Sequence, residues 1–139
     1  MTSFSVNGVE VTVDDSHPHL LSALRDELDL ISAKDGCSPS GQCGCCTVLL
    51  GDKAIVSCQV SLERAAGQEV TTLEGFDPAE RERFAEAFAA HGALQCGFCT
   101  PGILVRVKSL IDRKGSSLTR DDAARFLGSN LCRCTGYVK

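Results

Sequence analysis

The chain has 139 residues, a net charge of −4, 5% aromatic residues and no tryptophan. That balance excludes a basic face for nucleic acid or an anionic membrane, and no apolar run approaches the roughly 20 residues of a membrane-spanning helix. Met1 to Glu10 lacks a basic segment followed by an apolar run, so a soluble, cytoplasmic protein is expected. The length suits one domain or two small ones, whose aliphatic cores would be thin enough to need a bound metal for support.

In chain order, Phe4 and Val6, then Asn7-Gly8, then Val9, Val11 and Val13 alternate as a β-hairpin does. Asn-Gly is the pair that a type I′ turn demands. Leu20, Leu21, Leu24, Leu28 and Ile31 recur at helical spacing and predict a helix from about His19 to Leu28, with Ser16 as its cap and Pro18 in its first turn. A loop from Lys34 to Cys46 leads into Thr47-Val48-Leu49-Leu50, a Gly51-Asp52 turn and Ala54-Ile55-Val56-Ser57, and Val70 to Leu73 offers a closing strand. A hairpin, a crossing helix, a second hairpin and a last strand describe a β-grasp.

Beyond a Glu74-Gly75-Phe76-Asp77 connection the period becomes helical. Asp77 and Pro78 suit the start of a helix reaching Ala90, with Phe84, Ala87 and Phe88 on one face. Thr100-Pro101-Gly102 opens a second helix, whose expected buried stripe is Ile103, Leu104, Val107, Leu110 and Ile111. Thr119-x-x-Asp122 reads as a capping box for a third, and Thr135-Gly136-Tyr137 as the start of a fourth. The fold class is therefore α+β, a β-grasp domain over residues 1–75 followed by a small four-helix bundle over residues 76–139, lacking the end of its last helix.

Nine cysteines dominate this framework. Cys37, Cys43, Cys46 and Cys58 form one group, and Cys96, Cys99, Cys132 and Cys134 the other. Two groups of four thiols in glycine-containing loops point to two iron–sulfur centres. A disulfide framework fits poorly with an odd count and with neighbours as close as Cys43-Gly44-Cys45-Cys46. Zinc is the stronger rival, because Cys43-x2-Cys46 and Cys96-x2-Cys99 are zinc-like pairs, but their separation exceeds that of a zinc ribbon. Cys45 is read as a small packing residue turned away from the first group. The three histidines, His17, His19 and His91, sit at turns or helix ends and are read as structural.

Gly36-Cys37-Ser38-Pro39-Ser40-Gly41-Gln42-Cys43-Gly44-Cys45-Cys46 resembles the cluster loop of a plant-type ferredoxin, with Cys58 as the fourth ligand on a neighbouring strand. The usual spacing is C-x4-C-x2-C, whereas this chain has C-x5-C-x2-C, which puts the path of Ser38 to Gly41 in question. In the second half, Cys96 to Gly102 and Cys132 to Tyr137 both place a cysteine pair before a threonine, an echo that predicts a centre held between two threonine-capped helix N-termini. Gln95-Cys96-Gly97-Phe98-Cys99-Thr100-Pro101-Gly102, followed by Cys132-Arg133-Cys134-Thr135-Gly136-Tyr137, resembles the iron–sulfur component of the molybdenum hydroxylases, the xanthine dehydrogenase, aldehyde oxidoreductase and carbon monoxide dehydrogenase family. The likeness spans essentially the whole chain.

That resemblance implies an electron relay. It gives a proximal [2Fe–2S] cluster on Cys96, Cys99, Cys132 and Cys134, and a distal one on Cys37, Cys43, Cys46 and Cys58. It implies a partner subunit or domain that holds molybdopterin, contacted by Gln95 and Cys134, and a further partner that holds FAD. Substrate chemistry would then belong to the partner, with no general base or nucleophile required in this chain. A stand-alone two-cluster redox module and a zinc-stabilised interaction module are the alternatives.

Overall fold

The computed structural model describes residues 1–137. β1 (Thr2–Val6) and β2 (Val9–Val13) pair antiparallel, with Val6 opposite Val9. Asn7 and Gly8 between them have φ of 52° and 80°, the two left-handed residues that a type I′ turn needs. β3 (Thr47–Leu50) and β4 (Lys53–Val56) form the second hairpin. β5 (Glu69–Thr71) inserts between the hairpins, parallel to β1 and antiparallel to β3, giving the order β2-β1-β5-β3-β4. This is the expected β-grasp. Its core is aliphatic apart from Phe4, and Cys46 and Cys58 are part of it.

The crossing helix differs from expectation in cap and pitch. It begins as α1 (Leu20–Ser22) and widens into a π turn over Ala23–Glu27, closed by Leu28 N–H on the Ala23 carbonyl at 3.1 Å. His19 caps it, its Nδ1 accepting from Ser22 N at 3.1 Å. Ser16 does not do so, because it is held in a turn by Asp14 three residues before the helix-capping His19, which is extended at φ −164°. Ile31 lies beyond the helix end and is 59% exposed. β4 stops at Val56, so Cys58 sits in a 3₁₀ turn, Ser57–Gln59, rather than on a strand. α2 (Leu62–Ala65), capped by Ser61, is too short for its period to register in sequence.

α3 (Pro78–Ala90) starts as expected, with Asp77 Oδ1 accepting from Ala79 N at 2.9 Å and Pro78 in its first turn. α4 (Thr100–Lys114) packs along β3, but its buried face is Gly102, Leu104, Val105, Ser109 and Leu110. Ile111, placed by periodicity in the stripe, is 39% exposed, and Ile103 and Val107 are half-buried. The small residues decide this rotation. Gly102 admits the cysteine loop, and Ser109 Oγ donates to the Asp52 carbonyl at 3.2 Å in the β3–β4 turn. α5 (Arg120–Phe126) has the expected reciprocal capping box between Thr119 and Asp122. Thr135 to Tyr137 are not helical, and the end of the expected fourth helix lies outside the described residues.

Asn7 ties the turn after β1 to the residue that follows β5, at one end of the inner strands. Its Oδ1 accepts from Thr72 N at 2.9 Å, its Nδ2 donates to the buried Thr72 hydroxyl at 3.0 Å, and its backbone is left-handed. Asn7→Ala should cost about 2–3 kcal/mol, from two lost hydrogen bonds and a strained φ. Asn7→Gly should cost only about 1–2 kcal/mol, since glycine tolerates the conformation. Denaturant unfolding of the two variants measures the difference.

Candidate metal centres

The first cysteine group is assembled by the Lys34–Cys46 loop and the 3₁₀ turn after β4. Asp35 Oδ1 starts the loop by accepting from the amides of Cys37 and Ser38 at 3.1 and 2.7 Å. The extra residue in the C-x5-C gap is absorbed by two left-handed residues, Ser38 at φ 72° and Gly41 at φ 75°. Gly41 lies flat on Gln59, where a Cβ would come 2.8 Å from that side chain. Cys43, Cys46 and Cys58 are buried and Cys37 is half-buried at the rim. Cys46 is tied to the Cys58 turn, its carbonyl accepting from Ser57 N at 3.2 Å and Ser57 Oγ at 2.7 Å.

Backbone amides face these sulfurs. Ser40 N donates to Cys37 Sγ at 3.2 Å and Cys45 N to Cys43 Sγ at 3.4 Å. Ser40, through hydroxyl and amide, brings the Cys37 thiol down to about 6. Burial pushes Cys46 up to about 12. A buried thiol of that kind ionises only when a cation arrives with it.

The second group sits at the surface end of the helical half. Cys99 occupies the residue before α4, and Cys96 precedes it across Gly97, left-handed at φ 76°. Cys96 and Cys134 are exposed, with their sulfurs 3.4 Å apart. Thr135 turns both its amide and its hydroxyl onto Cys132 Sγ, at 3.4 and 3.1 Å. Its hydroxyl, then its amide, brings Cys132 down to about 7, whereas burial pushes Cys99 up to about 11. The sequence echo therefore misleads on one point. Thr100 is the first residue of α4 and makes no side-chain cap, and Thr135 serves a sulfur rather than a helix end. Only one described helix, α4, aims its N-terminus at this group.

The two groups meet along a seam. The Gly44 carbonyl accepts from Asn130 Nδ2 at 3.1 Å, Thr47 N at 3.2 Å and Thr47 Oγ1 at 2.7 Å. Leu131 N, next to Cys132, donates to the Cys43 carbonyl at 2.8 Å. Gly44 is left-handed at φ 71°, and a Cβ there would lie 2.6 Å from the Ser129 carbonyl. Cys45 is buried in this seam. With Cys43, Cys96, Cys99, Cys132 and Phe98 it lines a cavity of about 620 Å³. It is buried as expected, but it is not turned away from the first group, since its sulfur and that of Cys43 both face Gly36, within 3.3 Å of where a Cβ there would stand. Burial, then the charge of Cys43, raises it to about 12. Gln95 lies exposed beside the second group, its Nε2 donating to the Cys134 carbonyl at 3.1 Å. Asn130 carries no signal in sequence, since its partner is 86 residues away.

Among the described residues no three ligating side chains converge as one metal ion would require. The sulfurs associate instead in pairs. Cys134 Sγ donates to Cys96 Sγ at 3.4 Å, and the side chains of Cys99 and Cys132, of Cys46 and Cys58, and of Cys45 and Cys43 adjoin one another. Two thiolates per iron is what a [2Fe–2S] core takes, and amides aimed at sulfur are its usual support. The donor set fits that group.

Comparison with known proteins agrees. Residues 4–73 match the 2Fe-2S iron-sulfur cluster binding domain, and residues 72–139 match the [2Fe-2S] binding domain. The chain is 43% identical over 119 residues to the xanthine dehydrogenase iron-sulfur-binding subunit of Escherichia coli O157:H7, covering 84% of this chain and 74% of that one. It is 37% identical over 128 residues to the nicotinate dehydrogenase small FeS subunit of Eubacterium barkeri, covering 91% and 80%. This chain belongs to the iron–sulfur components of the molybdenum hydroxylase family. Within that family its fold superposes on quinoline 2-oxidoreductase from Pseudomonas putida 86 with a TM-score of 0.87 and 36% identity, over 98% of this chain and 84% of that one. It superposes on the aldehyde oxidoreductase of Desulfovibrio gigas with a TM-score of 0.85 and 38% identity, spanning only 15% of that much longer chain. Membership in the family, with both halves matching [2Fe–2S] domains, speaks against a zinc-stabilised module and a stand-alone ferredoxin.

The seam makes a steric prediction. A Cβ on Gly102 would stand 2.4 Å from the Gly44 carbonyl, so α4 and the loop cannot both stay in place. Gly102→Ala should cost about 1–3 kcal/mol as an overpacked contact and lower iron content. Gly128→Ala, where a Cβ meets nothing within 4 Å, should do neither. Thermal denaturation with iron analysis of both variants checks this.

Proposed function

We propose that this chain is the electron-transfer component of a molybdenum-dependent oxidoreductase. It would take electrons one at a time from a molybdopterin site on a partner subunit or domain and deliver them to FAD on another, or to a different acceptor. Residues 1–75 would hold the distal [2Fe–2S] cluster through Cys37, Cys43, Cys46 and Cys58. Residues 76–139 would hold the proximal one through Cys96, Cys99, Cys132 and Cys134. When bound, each cluster would supply one reversible single-electron step.

The observation that carries this reading is the unequal exposure of two thiol groups sharing one seam. Cys96 and Cys134 are exposed, with Gln95 beside them, while three of the four distal cysteines are buried in the β-grasp half. Gln95 and Cys134 would form the contact with the partner's pterin, the Gln95 amide bracing the Cys134 carbonyl from within the chain. Cys37, half-buried in its exposed loop, would mark the edge through which electrons leave. The amides of Ser40, Cys45 and Thr135 would stabilise the reduced, more negative state and raise its potential.

The helices are too short or too polar to cross a membrane among the described residues. Nine cysteines, none of them in a disulfide, suit a reducing compartment, and the cytoplasm is the location proposed.

Cys134→Ser tests the assignment. The variant should lose or change the proximal electron paramagnetic resonance signal, keep the distal one, and fail to pass electrons from substrate to acceptor. An unchanged proximal spectrum with normal turnover would contradict the ligand assignment.

A further inference from the structure

Arg106 stands in the second turn of α4, on the side turned toward the cysteine loop. Its Nη2 donates to Thr47 Oγ1 at 3.4 Å, and its guanidinium lies over the Phe126 ring, 5.5 Å from the centroid. Its Nε is buried and has no hydrogen-bond partner. Among the described residues no carboxylate pairs with it, since the ion pairs run through the N-terminus, His17, Lys108 and Lys114. The Phe126 ring needs no second cation, because Arg113 is already 5.0 Å from it.

Arg106 is half-buried, with its Nε enclosed and unpartnered, and a cation partly withdrawn from water without a counter-charge favours a compensating anion nearby. The one at hand is the distal thiolate group. Thr47, which Arg106 touches, follows directly on Cys46, and Thr47 Oγ1 donates onward to the Gly44 carbonyl in the same loop. Burial lowers the Arg106 guanidinium, and a thiolate at Cys46 would raise it. Cys99, at the start of α4, is seven residues away, about 10 Å along the axis at the helical rise per residue.

We propose that Arg106 sets the reduction potential of the distal centre, its fixed positive charge favouring the electron there over the proximal centre. This rests on the ligand assignment proposed above. A [2Fe–2S] core with four thiolates carries roughly −2 when oxidised and −3 after gaining one electron, by counting charges. The electron comes from the proximal side and leaves to a one-electron acceptor, while Arg106 exchanges neither electron nor proton. Coulomb attraction to a nearby fixed cation grows with each added negative charge, and grows most where water is excluded. Raising the distal midpoint makes transfer from the proximal side downhill. Arg106 is thus a positioning residue for the electron rather than a ligand.

The test is a redox titration with dithionite, followed by electron paramagnetic resonance, on anaerobically purified protein with whatever subunits accompany it. The distal signal is identified by its loss in Cys58→Ser. Arg106→Gln keeps a hydrogen-bond donor but removes the charge. It should shift the distal reduced-to-oxidised ratio at least tenfold toward oxidised, a fall of about 59 mV or more for one electron, with the proximal midpoint unmoved. Arg106→Lys, which keeps the charge, should restore the distal midpoint to within threefold of the parent ratio. Phe126→Leu, which leaves Arg106 untouched but loosens it toward water, should produce a smaller fall at the same centre. That variant decides the matter if Arg106→Gln does not assemble. Two intact signals with an unmoved distal midpoint in Arg106→Gln, or an equal fall in Arg106→Lys, overturn the inference alone. Absence of two [2Fe–2S] signals in the parent protein overturns the ligand assignment and this inference with it.

Discussion

The carbonyl of Gly44 is the point on which the rest of the arrangement depends. It accepts from Asn130 and twice from Thr47, and α4 approaches it at Gly102, so one oxygen joins the cysteine loop, β3 and the helical half. Two flanking constraints follow from chemistry rather than taste. Gly44 must be left-handed to aim its carbonyl outward, and Gly102 must lack a Cβ to let that carbonyl in. A side chain at either position would pry apart the two groups of thiols. Small domains with thin cores have few ways to hold a fixed mutual distance, and a hydrogen-bonded seam backed by buried Leu49, Phe76 and Val105 is one.

The two thiol groups differ in surroundings in a way that suits different duties. The β-grasp half buries Cys43, Cys46 and Cys58 in or beside its apolar core, where burial pushes Cys46 far above an ordinary thiol. The helical half leaves Cys96 and Cys134 at the surface and steadies Cys132 with Thr135 instead. Burial excludes water and lets fixed charges act strongly, whereas exposure permits close approach by a partner. Those two environments are the ones that the proposed proximal and distal roles would call for.

Much of this was legible in one dimension because it depends on neighbours in sequence. Alternation around Asn7-Gly8, helical spacing from Leu20, the Asp77-Pro78 start and the Thr119–Asp122 box each describe local geometry, and each is present. The proposed grouping of the cysteines rests on the same kind of local signal, a spacing like that of loops around a cluster. What escaped depends on distant partners. The buried face of α4 is chosen by the loop at Gly44 and the turn at Asp52, not by its own apolar period. Thr135 resembles a helix cap, yet the sulfur of Cys132 three residues earlier claims both its donors. His19 replaces Ser16 as cap because its extended backbone brings the imidazole to the free amide of Ser22. Arg106 looks like any arginine on a helix until Thr47 and Phe126 are placed around it.

The central claim is that two [2Fe–2S] centres are held side by side by one seam. Its most direct measurement is electron paramagnetic resonance of the fully reduced, anaerobically purified protein, alongside iron and acid-labile sulfide analysis. The account predicts roughly four iron and four sulfide per chain and two distinguishable [2Fe–2S] signals. Each signal should be broadened or split by the other when both centres are reduced. Zinc without sulfide, or two signals that merely sum with no interaction, would contradict it.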